Sequence, residues 1–111
     1  MLHRIRKIVN VKPYTIVCEW TNSEIRAIIL EEKIREWSIE PGSVYKNLLT
    51  ASIFNKVKLD AESHTLYWNG LIKMTDDNGK SFNAPLDIDP EVLYQLSIPV
   101  NEKNNVDNIA A

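Results

Sequence analysis

Three carboxylates near the end of the chain are the first candidates for chemistry. Asp87, Asp89 and Glu91 occupy alternate positions, and several oxygen ligands converging on one point are what Ca²⁺ or Mg²⁺ requires. Asp89 followed by Pro90 is also typical of a helix start, where the aspartate caps and the proline takes the first helical position. Glu91 is then a favourable charge in the first turn. We therefore predict a helix cap here, with no metal site and no cofactor.

The nucleophiles and bases of the chain form no recognisable catalytic set. His64 follows Ser63 in a predicted turn, but no nucleophile elbow surrounds the serine. The single cysteine, Cys18, falls on the apolar face of a predicted strand, which indicates a buried, inert thiol. Three glycines are too scattered to form a phosphate-binding loop. We predict no catalytic residues and a protein that is not an enzyme.

Basic residues are concentrated in the first half of the chain. Residues 1–59 carry a net charge of +4 and residues 60–111 a net charge of −6, within a total of −2. Such asymmetry can mark a nucleic-acid face, and lysines and arginines are the groups that contact phosphates. No recognition motif accompanies them, and outward lysines also protect strand edges. The residues that would contact nucleic acid are Arg4, Arg6, Lys7, Lys56 and Lys58.

The elements that must position these residues begin with hairpins. Tyr14 to Trp20 alternates, with Tyr14, Ile16, Cys18 and Trp20 on one face. A polar turn at residues 21–23 separates it from an alternating run over 24–30, so the pair predicts an antiparallel hairpin. The segment 31–39 is ambiguous between helix and loop. Ser43 is in position to cap a helix through Leu49.

Strands are also predicted in the second half. Residues 54–60 and 65–69 read as a strand pair around a turn at 61–64, and residues 70–74 and 81–84 flank Asn78-Gly79. Asn-Gly is the strongest short hairpin signal, because type I′ turns place both central residues at positive φ. A last helix follows Asp89. We predict an α+β fold: an antiparallel sheet built from hairpins with two short helices packed on one face.

Length and composition limit the number of domains and the class of protein. The 111 residues suit one domain, which we place at residues 1–97, with a flexible tail at 98–111. No apolar run approaches the length of a membrane helix, and the basic start lacks the apolar core of a secretion signal. One cysteine allows no internal disulfide. We expect a cytoplasmic protein with no membrane partner.

Two segments carry a resemblance to a known family. Trp68-Asn69-Gly70 and the run from Leu86 to Tyr94, which follow the Leu48-Leu49 pair and the segment 53–60 in this order, are the sharpest parts. The chain from Ile5 to Leu96 resembles a family of small bacterial and phage proteins known as the domain of unknown function number twenty-four forty-two. In that family the glycine runs almost directly into the aspartate–proline segment. Here residues 71–85 intervene, and we interpret them as an inserted hairpin.

The resemblance implies an α+β fold without an established activity. Family members are often encoded beside a second small protein, as in toxin–antitoxin-like pairs. We therefore expect a non-enzymatic protein-interaction or regulatory module, the antitoxin-like member of such a pair, whose partner is a second copy or the product of the neighbouring gene. A nucleic-acid-binding accessory protein is the alternative. Because Trp and Tyr are enriched at interfaces, the candidate interaction residues are Trp68, Asn69 and Tyr94.

Overall fold

The computed structural model describes residues 2–100, and the chain forms seven strands and four short helices within them. The strands are β1 (Ile5–Lys12), β2 (Thr15–Trp20), β3 (Ile25–Ile29), β4 (Lys58–Leu59), β5 (Leu66–Thr75), β6 (Ser81–Asp87) and β7 (Ser97–Pro99). The helices are α1 (Glu31–Trp37), a 3₁₀ helix (Val44–Leu49), α2 (Ala51–Phe54) and α3 (Pro90–Gln95). The α+β class is confirmed.

The alternating run in the first half forms the centre of a four-stranded sheet. β2 pairs antiparallel with β1 and with β3, so that Ile16 lies opposite Val11 on one side and Ile28 on the other. Ile16, Cys18 and Trp20 are fully buried. The predicted β2–β3 hairpin and its inward face are therefore confirmed.

The fourth strand of this sheet comes from the end of the described chain. β7 pairs antiparallel with β3, Ile98 lies opposite Ala27, and the Val100 N–H donates to the Ile25 carbonyl at 2.9 Å. The prediction that a flexible tail begins at residue 98 is therefore wrong for the first of these residues. β3 would otherwise leave an unpaired edge, and ladder hydrogen bonds hold this segment against it. The rest of the predicted tail, residues 101–111, lies outside the described residues.

The remaining strands form a separate three-stranded antiparallel sheet, β4-β5-β6. β5 is one continuous strand where the sequence suggested two, because the ladder with β6 resumes after an irregularity between Trp68 and Ile72. Gly70 sits in that irregularity at φ +68°, a left-handed conformation that glycine adopts without steric cost.

The turn between β5 and β6 differs from the predicted type. Gly79 has a φ of +78°, but Asn78 does not share the positive φ that a type I′ turn requires. Instead, the Asp76 carboxylate accepts hydrogen bonds from the backbone N–H groups of Asn78 and Lys80, both at 2.9 Å. The aspartate side chain therefore stabilises a wider loop.

One predicted helix and one predicted strand need correction. The segment 44–49 is a 3₁₀ helix, and the Ser43 hydroxyl donates to the Trp37 carbonyl at 2.8 Å instead of capping it. The strand predicted from Phe54 to Asp60 shrinks to β4, because Phe54 ends α2 and the chain turns at residues 55–56. By contrast, the ambiguous segment 31–39 contains α1.

Both sheets and the helices share one hydrophobic core. It includes Trp20 from the first sheet and Trp68 from the second, with Leu48 of the 3₁₀ helix, Phe54 of α2 and Leu93 of α3, all nearly or fully inaccessible. Packing both sheets on this core fixes the position of the second sheet and therefore of the hairpin that extends from it. Within residues 2–100 no helix is long and apolar enough to cross a bilayer.

Candidate protein interface

The outer part of the β5–β6 hairpin, residues 72–84, extends beyond the core and is called the arm below. Every residue from Lys73 to Asn83 is exposed. An isolated two-stranded ribbon is at best marginally stable in water, because it can bury little apolar surface. A long exposed ribbon on a small domain is therefore a feature that needs an explanation beyond folding.

One face of the arm is apolar. Ile72 lies opposite Ala84, and Met74 lies opposite Phe82. Since successive side chains of a strand point to opposite faces, these four share one face, and the polar pairs between them occupy the other. Met74 and Phe82 are each 47% exposed. The arm thus presents a methionine and a phenylalanine side by side to solvent, two residue types enriched at protein interfaces.

A groove follows the edge of β5 that faces away from β6. It consists of two cavities of about 450 Å³ and about 540 Å³, which share Leu71 as a wall. The first lies between β5 and residues 53–58, and the second between β5 and residues 42–47. We call the two cavities together the β5 groove.

The β5 groove brings together four of the residues singled out in the sequence. Lys56, Lys58, Trp68 and Asn69 all line its first cavity. The two lysines and Asn69 are exposed. Trp68 is only 1% exposed, and its indole Nε1–H donates to the Phe54 carbonyl at 2.9 Å. Trp68 is therefore a core residue at the base of the groove, and its ring offers almost no exposed surface to a partner.

The basic residues of the N-terminal segment lie elsewhere. Arg4, Arg6 and Lys7 are on or beside β1, in the first sheet, and none of them lines the groove. The Arg6 guanidinium donates to Glu19 Oε2 and to the Thr21 carbonyl, both at 3.3 Å. The five basic residues predicted to contact nucleic acid are thus divided between the region of β1 and the lining of the β5 groove.

Tyr94, the third candidate interaction residue, is the centre of a different cluster. Its ring stacks on the His3 imidazole at a centroid distance of 3.5 Å and meets the edge of Trp20 at 5.1 Å. The Arg26 guanidinium lies 4.3 Å from the centre of the same ring. Tyr94 is half-buried. These contacts join the start of the chain, the β2–β3 hairpin and α3, so Tyr94 acts as a structural link.

Hydrogen bonds set the protonation of this cluster. The Tyr94 hydroxyl donates to Glu24 Oε1 at 2.5 Å, which lowers the pKa of Glu24 and raises the pKa of Tyr94. Arg26 donates to Glu24 Oε2 at 2.9 Å and lowers the pKa of Glu24 further. His3 holds Glu91 through its backbone N–H and its ring Nδ1, and these bonds lower the pKa of Glu91. Both carboxylates of the cluster, Glu24 and Glu91, are thus held by hydrogen bonds from neighbouring groups.

Of the three acidic residues Asp87, Asp89 and Glu91, the structure shows one to be a helix cap. Asp89 Oδ1 accepts the Glu91 N–H at 2.8 Å at the start of α3, which confirms the predicted cap. Within residues 2–100 no three His, Cys, Asp or Glu side chains are grouped so as to hold a metal ion. Cys18 is buried, and its burial raises the pKa of the thiol to about 12, so the side chain stays protonated as expected.

Two pairs of residues on this surface were not singled out in the sequence. Met74 and Phe82 could have been found, because period two around the Asn-Gly turn places them on one face. Lys46 and Lys73 line the second cavity of the groove, but they are far apart in sequence and only the tertiary structure brings them together.

Comparison with protein-family models, with curated proteins and with solved structures gave no match.

Proposed function

We propose that this protein is a non-enzymatic protein-interaction module whose contact surface is the arm. The observation that carries the proposal is the exposed apolar face formed by Met74 and Phe82, with Ile72 and Ala84 beside them. Burial of apolar surface drives association, at roughly 25 cal/mol per Å² removed from water. An exposed apolar patch on a projecting element is typical of a surface that meets a partner.

The backbone of the arm supports the same use. One edge of β5 pairs with β6. The other edge pairs with β4 only at Leu66 and Tyr67, and beyond Tyr67 no strand within residues 2–100 pairs with it. β6 contains Pro85, which has no backbone N–H to donate, so the outer edge of β6 is less suited to pairing with a further strand. The free edge of β5 is thus the place where another strand adds most readily.

The partner we propose is a second copy of the chain or the product of the neighbouring gene. A symmetric dimer is the commonest assembly of soluble proteins, and two arms pairing face to face would bury both Met74 and Phe82 pairs. The regulatory, antitoxin-like role is supported by the resemblance to the family described above, whose members are often encoded beside a second small protein. A reducing cytoplasm suits the single buried thiol, Cys18.

Light scattering after size-exclusion chromatography tests the proposal. The double variant Met74→Ser/Phe82→Ser should lose the dimer mass, or the mass of the complex formed on co-expression with the neighbouring gene product. The matched control is Val9→Ser/Ile25→Ser, which removes two similarly exposed apolar side chains from the four-stranded sheet. Wild type and control should retain the assembly.

Two results would contradict the proposal. One is that the control variant loses the assembly while the arm variant keeps it, which would place the interface on the four-stranded sheet. The other is a wild-type protein that remains a monomer and also ignores the neighbouring gene product.

Nucleic-acid binding is the second candidate function, and the lysines of the β5 groove are the observation in its favour. Arg4, Arg6 and Lys7 contribute little to the same surface, because they lie on the other sheet. With a total charge of −2, we expect no binding to random DNA or RNA tighter than about micromolar at physiological salt. Tight, salt-sensitive binding that disappears when Lys56 and Lys58 are neutralised would favour this function over the first.

A further inference from the structure

We propose that the β5 groove binds an extended acidic peptide segment of a partner protein, which adds as a strand to the free edge of β5. This inference rests on the interaction function proposed above and specifies the chemistry of the segment that the partner supplies. It is carried by the position of the groove, by its charge and by the absence of an exposed aromatic ring in its lining.

The groove opens where a neighbouring strand stops. Lys58 lies opposite Tyr67 and Leu59 opposite Leu66 in the short β4–β5 ladder. The same register would bring Lys56 opposite Asn69, but the chain turns there toward α2 and a cavity of about 450 Å³ takes its place. The second cavity continues along β5 past Leu71 to Lys73. An added strand would therefore extend the ladder that β4 begins.

The backbone of β5 supplies the hydrogen bonds. In a strand paired on one side, alternate N–H and C=O groups point away from the partner strand and are open to another chain. From Asn69 to Thr75 no strand of the described chain occupies that side. Addition of a peptide strand satisfies such groups, while the side chains lining the groove select the sequence.

The charge of the groove selects an acidic segment. Four lysines line its two cavities, and no aspartate or glutamate does. All four are exposed, and within residues 2–100 none of them forms an ion pair with a carboxylate. Charge complementarity of this kind gives specificity and accelerates encounter. The four are Lys46, Lys56, Lys58 and Lys73.

The same lining disfavours single-stranded nucleic acid. Proteins that bind single strands stack the bases on exposed aromatic rings. Trp68 is the one aromatic residue among those that line the two cavities, and it is 1% exposed. Leu71, Ile53 and Val57 provide apolar walls that suit aliphatic side chains of a peptide. We therefore favour a peptide in which acidic and aliphatic residues alternate.

Fluorescence anisotropy with a synthetic probe tests this inference. The probe is a fluorescein-labelled peptide of about eight residues, a common strand length, in which glutamate and valine alternate. Lys56→Glu/Lys58→Glu should weaken its binding by about tenfold or more. The matched control, Lys7→Glu/Arg35→Glu, makes the same change of net charge at exposed positions that lie outside both the arm and the groove, and should leave affinity nearly unchanged. Circular dichroism verifies that both variants are folded.

A second probe separates strand addition from simple charge attraction. It has the same sequence, but the backbone amides of alternate residues are N-methylated. The peptide therefore keeps its charge and loses the N–H groups that would donate hydrogen bonds to β5. Binding of this probe should be at least tenfold weaker. Equal binding of the two probes would overturn the inference.

Two further outcomes would also overturn it. One is tighter binding of single-stranded oligothymidine than of the peptide, lost in Lys56→Glu/Lys58→Glu, which would make the groove a nucleic-acid site. The other is no measurable binding of the first probe. If Met74→Ser/Phe82→Ser still abolishes assembly in that case, the arm remains the interface and only the chemistry proposed for the groove is refuted.

Discussion

Trp68 and Trp20 differ in the surroundings of the indole Nε1–H group. This difference predicts that Trp68→Phe and Trp20→Phe differ considerably in stability. Both side chains are buried, at 1% and 0% exposure. The Trp68 Nε1–H donates to the Phe54 carbonyl at 2.9 Å. The Trp20 Nε1–H has no hydrogen-bond partner among the described residues. We expect Trp68→Phe to destabilise the protein considerably more than Trp20→Phe.

The magnitude follows from what each substitution removes. Both remove the same atoms from the core, so the lost packing and the residual cavity cost similar amounts. Trp68→Phe also loses a hydrogen bond, worth about 0.5–1.5 kcal/mol. Trp20→Phe instead removes an unpaired buried donor, whose desolvation costs about 1–3 kcal/mol in the folded state. The two variants should therefore differ in unfolding free energy by about 1.5–4.5 kcal/mol, with Trp68→Phe the less stable.

Urea unfolding monitored by far-ultraviolet circular dichroism measures this difference without relying on tryptophan fluorescence. The slope with urea should be the same in both variants, so that the midpoints report stability directly. Equal losses of stability, or a greater loss for Trp20→Phe, would refute the reasoning. In that case Trp68 would be held by packing alone.

Two further predictions concern α3 and the Tyr94 cluster. Asp89→Ala should lower stability by about 0.5–2 kcal/mol, as for other lost caps, while Asp89→Asn, which keeps a side-chain acceptor, should cost less; equal losses in urea unfolding would exclude capping. The hydrogen bond from Tyr94 is the chief reason why the pKa of Glu24 is lowered in the folded protein. The ionised carboxylate therefore contributes to folding stability above its ordinary pKa of about 4.3, and this contribution is lost as the pH falls through the lower pKa of the folded state. Melting temperatures across this range should therefore fall less steeply in Glu24→Gln than in wild type, and parallel curves would contradict the assignment.

Local patterns predicted the local elements well. The period-two run from Tyr14 to Trp20 indicated both a strand and the face that packs on the shared core, although Thr15 and Val17 on the opposite face are buried as well. Asp89 before Pro90 located the start of α3 for a similarly local reason, since a cap involves only neighbouring residues. The Asn78-Gly79 pair located the hairpin turn, although the Asp76 side chain determined its type.

Features that depend on distant segments were not predictable. The 3₁₀ helix follows from how residues 44–49 fit against their neighbours, since its apolar positions suit an α-helix equally well. The segment after α3 joined the first sheet because β3 had an open edge, which no pattern in residues 97–99 indicates. The β5 groove arises between three segments, so only its individual lysines and Asn69 were visible in the sequence.

Amide hydrogen exchange of the arm is the most direct test of the proposed interface, because it locates the contact where light scattering reports only mass. The comparison is between wild type, at a concentration where it is assembled, and Met74→Ser/Phe82→Ser as a monomer. Exchange over residues 69–75 should be markedly slower in the wild-type assembly, and the four-stranded sheet should exchange alike in both. Unchanged exchange in the arm, with new protection over β1 or β7 instead, would contradict the proposal that the arm is the interface.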